Sequence, residues 1–323
     1  MSITSIMHDL KCKLVQKAVY AKLYPGHKPN EWEPWKESTT TILENGMVLK
    51  NDLQYGAEYP NSFLDIWYPD NSGQARPLIV YFHGGGFIFG DKSSGDPLAE
   101  GGGSSDKLLE IVRAGYILVN CNYAMAPEYR FPVQIQQVDQ VMRYLLEHAQ
   151  ELRLDMSRVC LSGGSAGADL TEIYGVCVAN PKYAEKLNVS PVMTMENLKV
   201  LAIDEAALDC RVFDANMFAM LGCWTNAQKD RYEDILVTMN AKEHIADTFI
   251  PTWVNASNEG GHPGYFAVEA LALAEKLRAI QVPCDLVYFP EAGLPHGYMD
   301  CFKSDPYGKE AFDRMMAFIQ KYI

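Results

Sequence analysis

The stretch Val-Cys-Leu-Ser-Gly-Gly-Ser-Ala-Gly at residues 159–167 decides the fold class. A short apolar run leads into the pattern Gly-x-Ser-x-Gly around Ser165, and apolar residues at helical spacing follow from Leu170 onward. Glycines on both sides let the chain turn sharply between a strand and a helix, which exposes the serine hydroxyl at the end of a sheet. The pattern predicts that Ser165 is a nucleophile aimed at an acyl carbon. The alternative is a Gly/Ser-rich loop without chemistry.

Strand-like and helix-like patterns alternate along most of the chain. Apolar and β-branched runs predict eight strands, at 47–55, 62–68, 78–83, 116–123, 158–162, 198–203, 252–257 and 284–289. Helical patterns lie at 104–114, 133–152, 166–179, 265–280 and 308–322. Such alternation indicates right-handed crossovers and a mostly parallel sheet flanked by helices, and the first two strands are close enough to pair as a hairpin.

Two segments fall outside this alternation. Residues 1–45 begin with an amphipathic helical pattern, which predicts an N-terminal helical cap segment before a catalytic domain over 46–323. Residues 205–250 carry enough apolar side chains to require burial. They predict a lid insertion over a pocket, with ordinary packing against the sheet as the alternative.

Composition narrows the classes of partner and location. The chain has 323 residues, a formal net charge of −13 and no clusters of Lys and Arg, so nucleic acid and anionic membrane surfaces are disfavoured as partners. No run of about 18 apolar residues predicts a membrane span, and no secretory signal is recognisable, so we expect a cytoplasmic protein. The eight cysteines form no Cys-x-x-Cys pair. We therefore expect free thiols and no metal site.

A serine nucleophile requires a general base, and three histidines follow Ser165 in the chain, namely His244, His262 and His296. His296 lies in Leu-Pro-His-Gly-Tyr, just beyond the last predicted strand. Loops at the carboxyl edge of a parallel sheet are where such sites assemble, so His296 is the predicted base. His262 is the other candidate for the general base. The alternative for His296 is a solvated loop histidine without a catalytic role.

The segment His83-Gly84-Gly85-Gly86-Phe87 follows the predicted strand 78–83. Three glycines let the main chain approach a substrate closely, and backbone N–H groups of Gly84, Gly85 and Gly86 with that of Ala166 would form an oxyanion hole. A phosphate-cradling loop is the alternative, but no Gly-Lys-Ser/Thr continuation supports it. His83 is expected to brace this loop.

These residues carry a family resemblance. Tyr-Phe-His-Gly-Gly-Gly-Phe (81–87), Asn-Tyr-Ala-Met-Ala-Pro-Glu-Tyr-Arg-Phe-Pro (122–132), Gly-Gly-Ser-Ala-Gly (163–167) and Pro-His-Gly-Tyr (295–298) occur in order. Over about residues 60–320, the chain resembles the hormone-sensitive-lipase-like carboxylesterases of the α/β-hydrolase fold. The resemblance implies that fold with a helical cap, Ser165 as nucleophile, His296 as base, and the oxyanion donors just named. It also implies hydrolysis of short acyl esters without a cofactor.

The acid of the triad is where the chain departs from the family pattern. The family places an aspartate about ten residues along from a Pro-Thr, which here is Pro251-Thr252, and that position is occupied by Gly260. The neighbouring Glu259 is the predicted acid, because either carboxylate serves in this role. Asn258 as a neutral orienting group, or another carboxylate, remains open.

Three functions are compatible with these motifs. The first is a serine esterase that cleaves short-chain, acetyl-like esters through an acyl-enzyme. The second is an amide or formamide hydrolase with the same triad, and the third is a non-catalytic homologue that binds a small molecule. The expected partner is a small ester, and a homodimer is left open.

Overall fold

The computed structural model describes residues 3–31, 38–93, 104–209, 237–258 and 264–323. Its strands within these ranges are β1 Thr40–Ile42, β2 Val48–Gln54, β3 Phe63–Tyr68, β4 Arg76–Phe82, β5 Ile117–Cys121, β6 Leu154–Gly164, β7 Leu198–Asp204, β8 Thr252–Ala256 and β9 Cys284–Tyr288. They form one sheet in the order β1-β2-β3-β5-β4-β6-β7-β8-β9. The strands from β5 to β9 in this order are parallel, whereas β1, β2 and β3 pair antiparallel.

The helices of the described ranges are α1 Ile3–Leu23, α2 Ser104–Arg113, α3 Val133–Glu147, α4 Ala149–Leu152, α5 Ala166–Ala179, α6 Pro181–Lys186, α7 Tyr265–Ala279 and α8 Pro306–Tyr322. Helices α2 and α8 pack on one face of the sheet, and α3, α5 and α7 pack on the other. Strand β4 shows why both faces are covered. Leu78 and Val80 are buried in one apolar cluster, and Ile79 and Tyr81 in the other. A strand buried on both faces needs such a continuous apolar run.

All eight predicted strands are present, and the predicted hairpin is the antiparallel pair β2–β3. The predicted number of strands was too small, because the described part of the chain forms a nine-stranded sheet. The additional strand, β1, is three residues long and exposed throughout. A short edge strand with no buried face leaves no hydrophobic pattern from which it could be predicted.

The predicted amphipathic helix near the N-terminus is α1. The predicted lid at 205–250 stays a prediction, because its central part, residues 210–236, lies outside the described residues. Within the described ranges, no helix is both long enough and apolar enough to cross a membrane.

The register of the parallel strands brings their carboxyl ends together at one edge of the sheet. Phe82 of β4 lies opposite Gly163 of β6, and Gly164 lies opposite Asp204 of β7. Asp204 in turn lies opposite Asn255 of β8. The segments that follow these strand ends therefore meet at one place, where ligands bind in open α/β sheets.

Candidate active site

Ser165 occupies a sharp turn between β6 and α5. Its backbone has φ +53° and ψ −118°, and Ala166 begins the helix. Glycine is required on both sides, because a Cβ on Gly163 would lie 2.2 Å from the carbonyl carbon of Gly167 and one on Gly167 would lie 1.9 Å from Phe82 O. The Ser165 N–H donates to Asp204 O at 2.8 Å. This strained turn has the strand–turn–helix geometry expected of a nucleophile elbow, and it holds the serine against the end of β7.

The glycine loop after β4 lies directly against the elbow. The absence of a Cβ at Gly167 lets the first turn of α5 contact the Phe82 and His83 carbonyl oxygens. Gly85 has φ +105°, and a Cβ there would lie 2.1 Å from Phe89 O. A Cβ on Gly86 would meet no atom within 4 Å. The structure thus brings the first turn of α5 against the end of β4, from which the predicted oxyanion donors Gly84, Gly85 and Gly86 follow.

His83 braces this loop from within the core. Its ring is fully buried and stacks on Tyr123 with 4.4 Å between centroids. His83 Nδ1 lies 2.7 Å from Gly84 O, and because a carbonyl can only accept, the nitrogen is the donor. The Tyr123 hydroxyl donates to His83 O at 2.8 Å. A ring held in this way fixes the glycine loop.

His296 lies in the loop after β9 and faces a carboxylate. Its Nδ1 is 2.8 Å from Glu205 Oε2, with side-chain exposures of 16% for His296 and 2% for Glu205. The Gly297 N–H donates to the same carboxylate oxygen at 2.7 Å. The imidazole stacks on Phe266 at the start of α7, with centroids 4.5 Å apart and planes 6° apart. The ring is therefore held on one face by Phe266 and on its Nδ1 edge by Glu205.

Glu205 was not selected from the sequence, which predicted Glu259. Glu205 directly follows β7, has φ +64°, and donates its N–H to Asn255 O at 3.0 Å. Glu259 and the rival base His262 lie outside the described residues. The sequence does contain a signal for Glu205, since an Asp-Glu pair ends the strand that follows the nucleophile strand. The predicted lid began at residue 205 and so removed this residue from consideration.

Asn258, the other alternative considered for the acid, serves a different purpose. Its Nδ2 donates to Phe289 O at 2.9 Å and to Pro290 O at 2.8 Å. Its Oδ1 accepts from Leu294 N at 2.7 Å. All three bonds go to the backbone between β9 and His296. Asn258 therefore fixes the start of the histidine loop.

A buried ion cluster lies behind the elbow and the histidine loop. Lys107 of α2 reaches Asp204 Oδ2 at 3.1 Å and Asp300 Oδ1 at 2.5 Å. Asn255 Nδ2 donates to Asp204 Oδ1 at 2.8 Å, and the Tyr298 hydroxyl donates to Asn255 Oδ1 at 2.5 Å. One ammonium thus joins the end of β7 to the turn that follows His296.

Lys107 faces two carboxylates in this cluster. Burial acts to lower the pKa of Lys107, but the charges of Asp300 and Asp204 outweigh burial and hold that pKa well above its usual value. Burial raises the pKa of Asp204, although the Lys107 charge opposes that rise. The Lys107 charge therefore offsets part of the free-energy cost of burying the Asp204 and Asp300 carboxylates.

A second buried cluster lies along α5 and is richer in acids. Lys242 contacts Glu269 at 2.8 Å and Asp209 at 3.4 Å. Burial, and then the Glu269 charge, raise the pKa of Glu172 well above its usual value. Asp169 Oδ1 accepts from Ala207 N at 2.7 Å, which ties the first turn of α5 to the segment after Glu205. This cluster therefore connects α5 and α7 to the segment that follows Glu205.

No metal-binding group emerges from the described ranges, which contain no cluster of three or more His, Cys, Asp or Glu with suitable geometry. Two thiols in these ranges lie in surroundings that disfavour the thiolate form, which is the form that binds metal. Burial raises the pKa of Cys121 well above its usual value, and that of Cys284 to about 11.

Comparisons with known proteins agree with this architecture. The family model described as BD-FAE matches residues 64–254. Carboxylesterase NlhH of Mycobacterium tuberculosis is 26% identical over 272 residues, covering 80% of this chain and 77% of that protein. Esterase LipI of the same organism is 24% identical over 266 residues, covering 77% and 74% of the two chains.

Two solved structures share the fold. Esterase B from Lactobacillus rhamnosis superposes with a TM-score of 0.69 at 16% identity, covering 98% of this chain and 96% of that chain. A hyperthermophilic esterase from the archaeon Pyrobaculum calidifontis superposes with a TM-score of 0.64 at 15% identity, covering 99% and 94%. At such identities these likenesses establish the α/β-hydrolase fold.

Proposed function

This chain belongs to the BD-FAE family of hormone-sensitive-lipase-like α/β hydrolases and is a hydrolase of carboxylic esters, and we propose that it cleaves short-chain acyl esters through a Ser165–His296–Glu205 triad. The observation that carries the proposal is the 2.8 Å contact between His296 Nδ1 and the buried Glu205 carboxylate. Glu205 takes the place that the sequence analysis gave to Glu259.

The proposed reaction has two halves. In the first, Ser165 Oγ attacks the acyl carbon while His296 Nε2 accepts the hydroxyl proton and passes it to the departing alkoxide. The N–H groups of the Gly84–Gly86 loop and of Ala166 stabilise the negative charge on the former carbonyl oxygen. In the second half, His296 takes a proton from water, the hydroxide attacks the acyl-enzyme, and the proton returns to Ser165.

Glu205 acts on the imidazole and not on the substrate. A carboxylate that accepts the Nδ1 proton fixes the tautomer with Nε2 facing the serine, and it stabilises the imidazolium that forms during attack. The Gly297 N–H at 2.7 Å and the burial of the carboxylate hold Glu205 in one orientation. A charge-assisted pair of this kind is stronger than a neutral hydrogen bond.

The same contact argues against the non-catalytic alternative. A protein that only binds a ligand has no need of a buried carboxylate aimed at the imidazole of a triad, because burial of an unused charge is costly. Hydrolysis of an amide or formamide would use the same triad, so an aryl formamide is included among the substrates tested.

A chain-length series of p-nitrophenyl esters, run beside an aryl formamide, tests the substrate class. We expect kcat/KM to be highest for acetyl and butyryl esters and to fall for longer chains, with slower turnover of the formamide. A serine-reactive phosphonate should label Ser165, and Ser165→Ala should abolish both labelling and turnover. Preference for long acyl chains or for the formamide would replace the substrate class, and an adduct on another residue would overturn the proposed nucleophile.

A further inference from the structure

The outward face of α1 is apolar, although it is turned away from the core. Ile6, Met7, Leu10 and Leu14 are 53%, 65%, 57% and 61% exposed. Their spacing of three, four and seven residues places them on one stripe of a helix. Scattered exposed apolar residues need no explanation, but a contiguous stripe marks an interaction surface.

The opposite face of α1 already has its partner. Cys12, Gln16 and Tyr20 are buried against the domain. Gln16 Nε2 donates to Ile88 O at 2.7 Å and to Ala126 O at 3.1 Å. Helix α1 therefore rests on the segment that follows the oxyanion loop, and its apolar stripe is not required for folding onto the core.

The flanks of the stripe are cationic. At 3.6 residues per turn, Lys13 and Lys17 lie along one edge of the stripe, and Lys11 and Lys22 along the other. All four lysines are exposed. Asp9, the acidic residue of α1, points elsewhere and forms an ion pair with Arg130. The surface that α1 presents is thus apolar in its centre and positive at both edges.

This pattern distinguishes between two occupants. A second copy of the chain that paired through α1 would bring lysine rows of the two copies together, and like charges at close range are unfavourable. An anionic lipid surface offers acyl chains for the stripe and phosphates for the lysines. Basic residues that flank an apolar helix face are typical of helices that lie in the membrane interface.

We propose that α1 docks on anionic lipid surfaces, with Ile6, Met7, Leu10 and Leu14 in the headgroup region and the flanking lysines on lipid phosphates. The overall charge of −13 disfavours binding by the molecule as a whole. The local field of four lysines acts within about 8 Å of the surface, which is the screening length at physiological salt. Docking through α1 would bring the oxyanion loop close to acyl esters that partition into lipid.

Vesicle sedimentation of the full chain tests the proposal. We expect binding to phosphatidylcholine vesicles with about a third phosphatidylglycerol, and little binding to pure phosphatidylcholine, since each lysine near an anionic surface contributes about fivefold to partitioning. Lys13→Gln/Lys17→Gln should therefore weaken binding by about 25-fold, and high salt should do the same. Leu10→Gln/Leu14→Gln should weaken it by at least about tenfold.

The matched control is Leu146→Gln/Leu271→Gln, which removes two leucines that are 42% and 40% exposed on other helices. This control should bind vesicles as the parent does. No binding by the parent chain, or binding unchanged in the α1 leucine variant, would overturn the proposal. Concentration-dependent dimerisation that this variant loses, without vesicle binding, would assign the stripe to a second copy of the chain.

Turnover of a water-soluble ester should be the same in all these variants, because the outward face of α1 contributes nothing to the triad. This readout separates the two proposals. A chain that binds anionic vesicles but shows no esterase activity would contradict the proposed function alone. A chain that hydrolyses the ester but does not bind vesicles would contradict the lipid proposal alone.

Discussion

The ends of two neighbouring strands carry polar side chains of similar size with opposite roles. After β7, Glu205 reaches His296 Nδ1 at 2.8 Å. After β8, Asn258 directs both of its polar atoms to the backbone between Phe289 and Leu294. One strand end therefore supplies a charge to the imidazole, and the other holds the loop that carries it.

The difference follows from what each side chain can donate and accept. Asn258 meets two carbonyl oxygens and one N–H, which only an amide with both donors and an acceptor can satisfy. Glu205 meets a ring nitrogen and the Gly297 N–H, which suit a pure acceptor. A carboxylate in place of the Asn258 amide would direct acceptor oxygens at two carbonyl oxygens. In the proposed triad the acid therefore follows β7, whereas Asn258 after β8 has a structural task in the histidine loop.

The largest effect is expected at His296, the proposed base, whose ring contacts Glu205 and whose loop is held by Asn258. His296→Ala should lower kcat by at least about 10³-fold, because loss of one triad member removes most of the catalytic advantage. His262→Ala is the matched control and should retain most of the turnover. Steady-state kinetics on a p-nitrophenyl ester decides between them, and the opposite outcome would move the base to the other loop.

Lys107 forms an ion pair with Asp204 at the end of β7, and its substitution should destabilise the fold. Lys107→Met leaves Asp204 and Asp300 buried without a counter-charge, which should lower the free energy of unfolding by about 3–5 kcal/mol. Lys303→Met is the control, because its 2.9 Å ion pair with Asp106 is about half exposed on both sides and solvent-exposed pairs contribute little to stability. Urea unfolding measures the free energy of unfolding of both variants. Equal losses would show that the buried cluster stabilises the fold no more than an exposed ion pair does.

The Lys107→Met variant should also acquire a distinct pH dependence. Burial raises the pKa of Asp204 even with Lys107 present, and removal of the ammonium should raise it further. A carboxyl whose pKa is higher in the folded than in the unfolded state binds more protons when folded, so its folding becomes more favourable as pH falls. The stability lost on substitution should therefore shrink between about pH 7 and pH 5. A deficit that stays constant across this range would contradict the charge argument.

A smaller effect is expected at the β8 end. Asn258→Ala removes three hydrogen bonds and should lower the free energy of unfolding by about 2–3 kcal/mol, with a modest loss of kcat as the histidine loop loosens. Asn258→Asp should be at least as destabilising, because it directs carboxylate oxygens at two carbonyls. It should not restore activity to a Glu205→Gln chain. Restoration would mean that the β8 position can still supply the acid.

The turn at Ser165, the glycine loop and the long strands could be predicted from local sequence patterns. The elbow around Ser165 and the glycine loop after β4 need particular residues at fixed spacing, since a Cβ at Gly163, Gly85 or Gly167 would collide with backbone. The long strands have buried faces and hence clear apolar patterns. Strand β1 has no buried face and was missed.

The pairing of Glu205 with His296 could not be predicted from a local sequence pattern. It joins residues 91 positions apart through a turn with φ +64°, and no spacing rule in the sequence records which strand end faces the imidazole. The same holds for Lys107, whose two partners come from β7 and from the turn after His296. Such contacts depend on how separate segments meet in the fold, so the sequence could indicate the residue types but not the partners.

The most direct test of the account compares kcat for Glu205→Gln with kcat for Glu259→Gln on the same p-nitrophenyl ester. Each substitution keeps the size of the side chain and removes its charge. The account predicts that Glu205→Gln lowers kcat by at least about 10³-fold with little change in KM, because the carboxylate acts as charge develops on the imidazole, while Glu259→Gln leaves kcat nearly unchanged. Near-normal turnover by Glu205→Gln, with loss of turnover in Glu259→Gln, would contradict it and return the acid to the loop after β8.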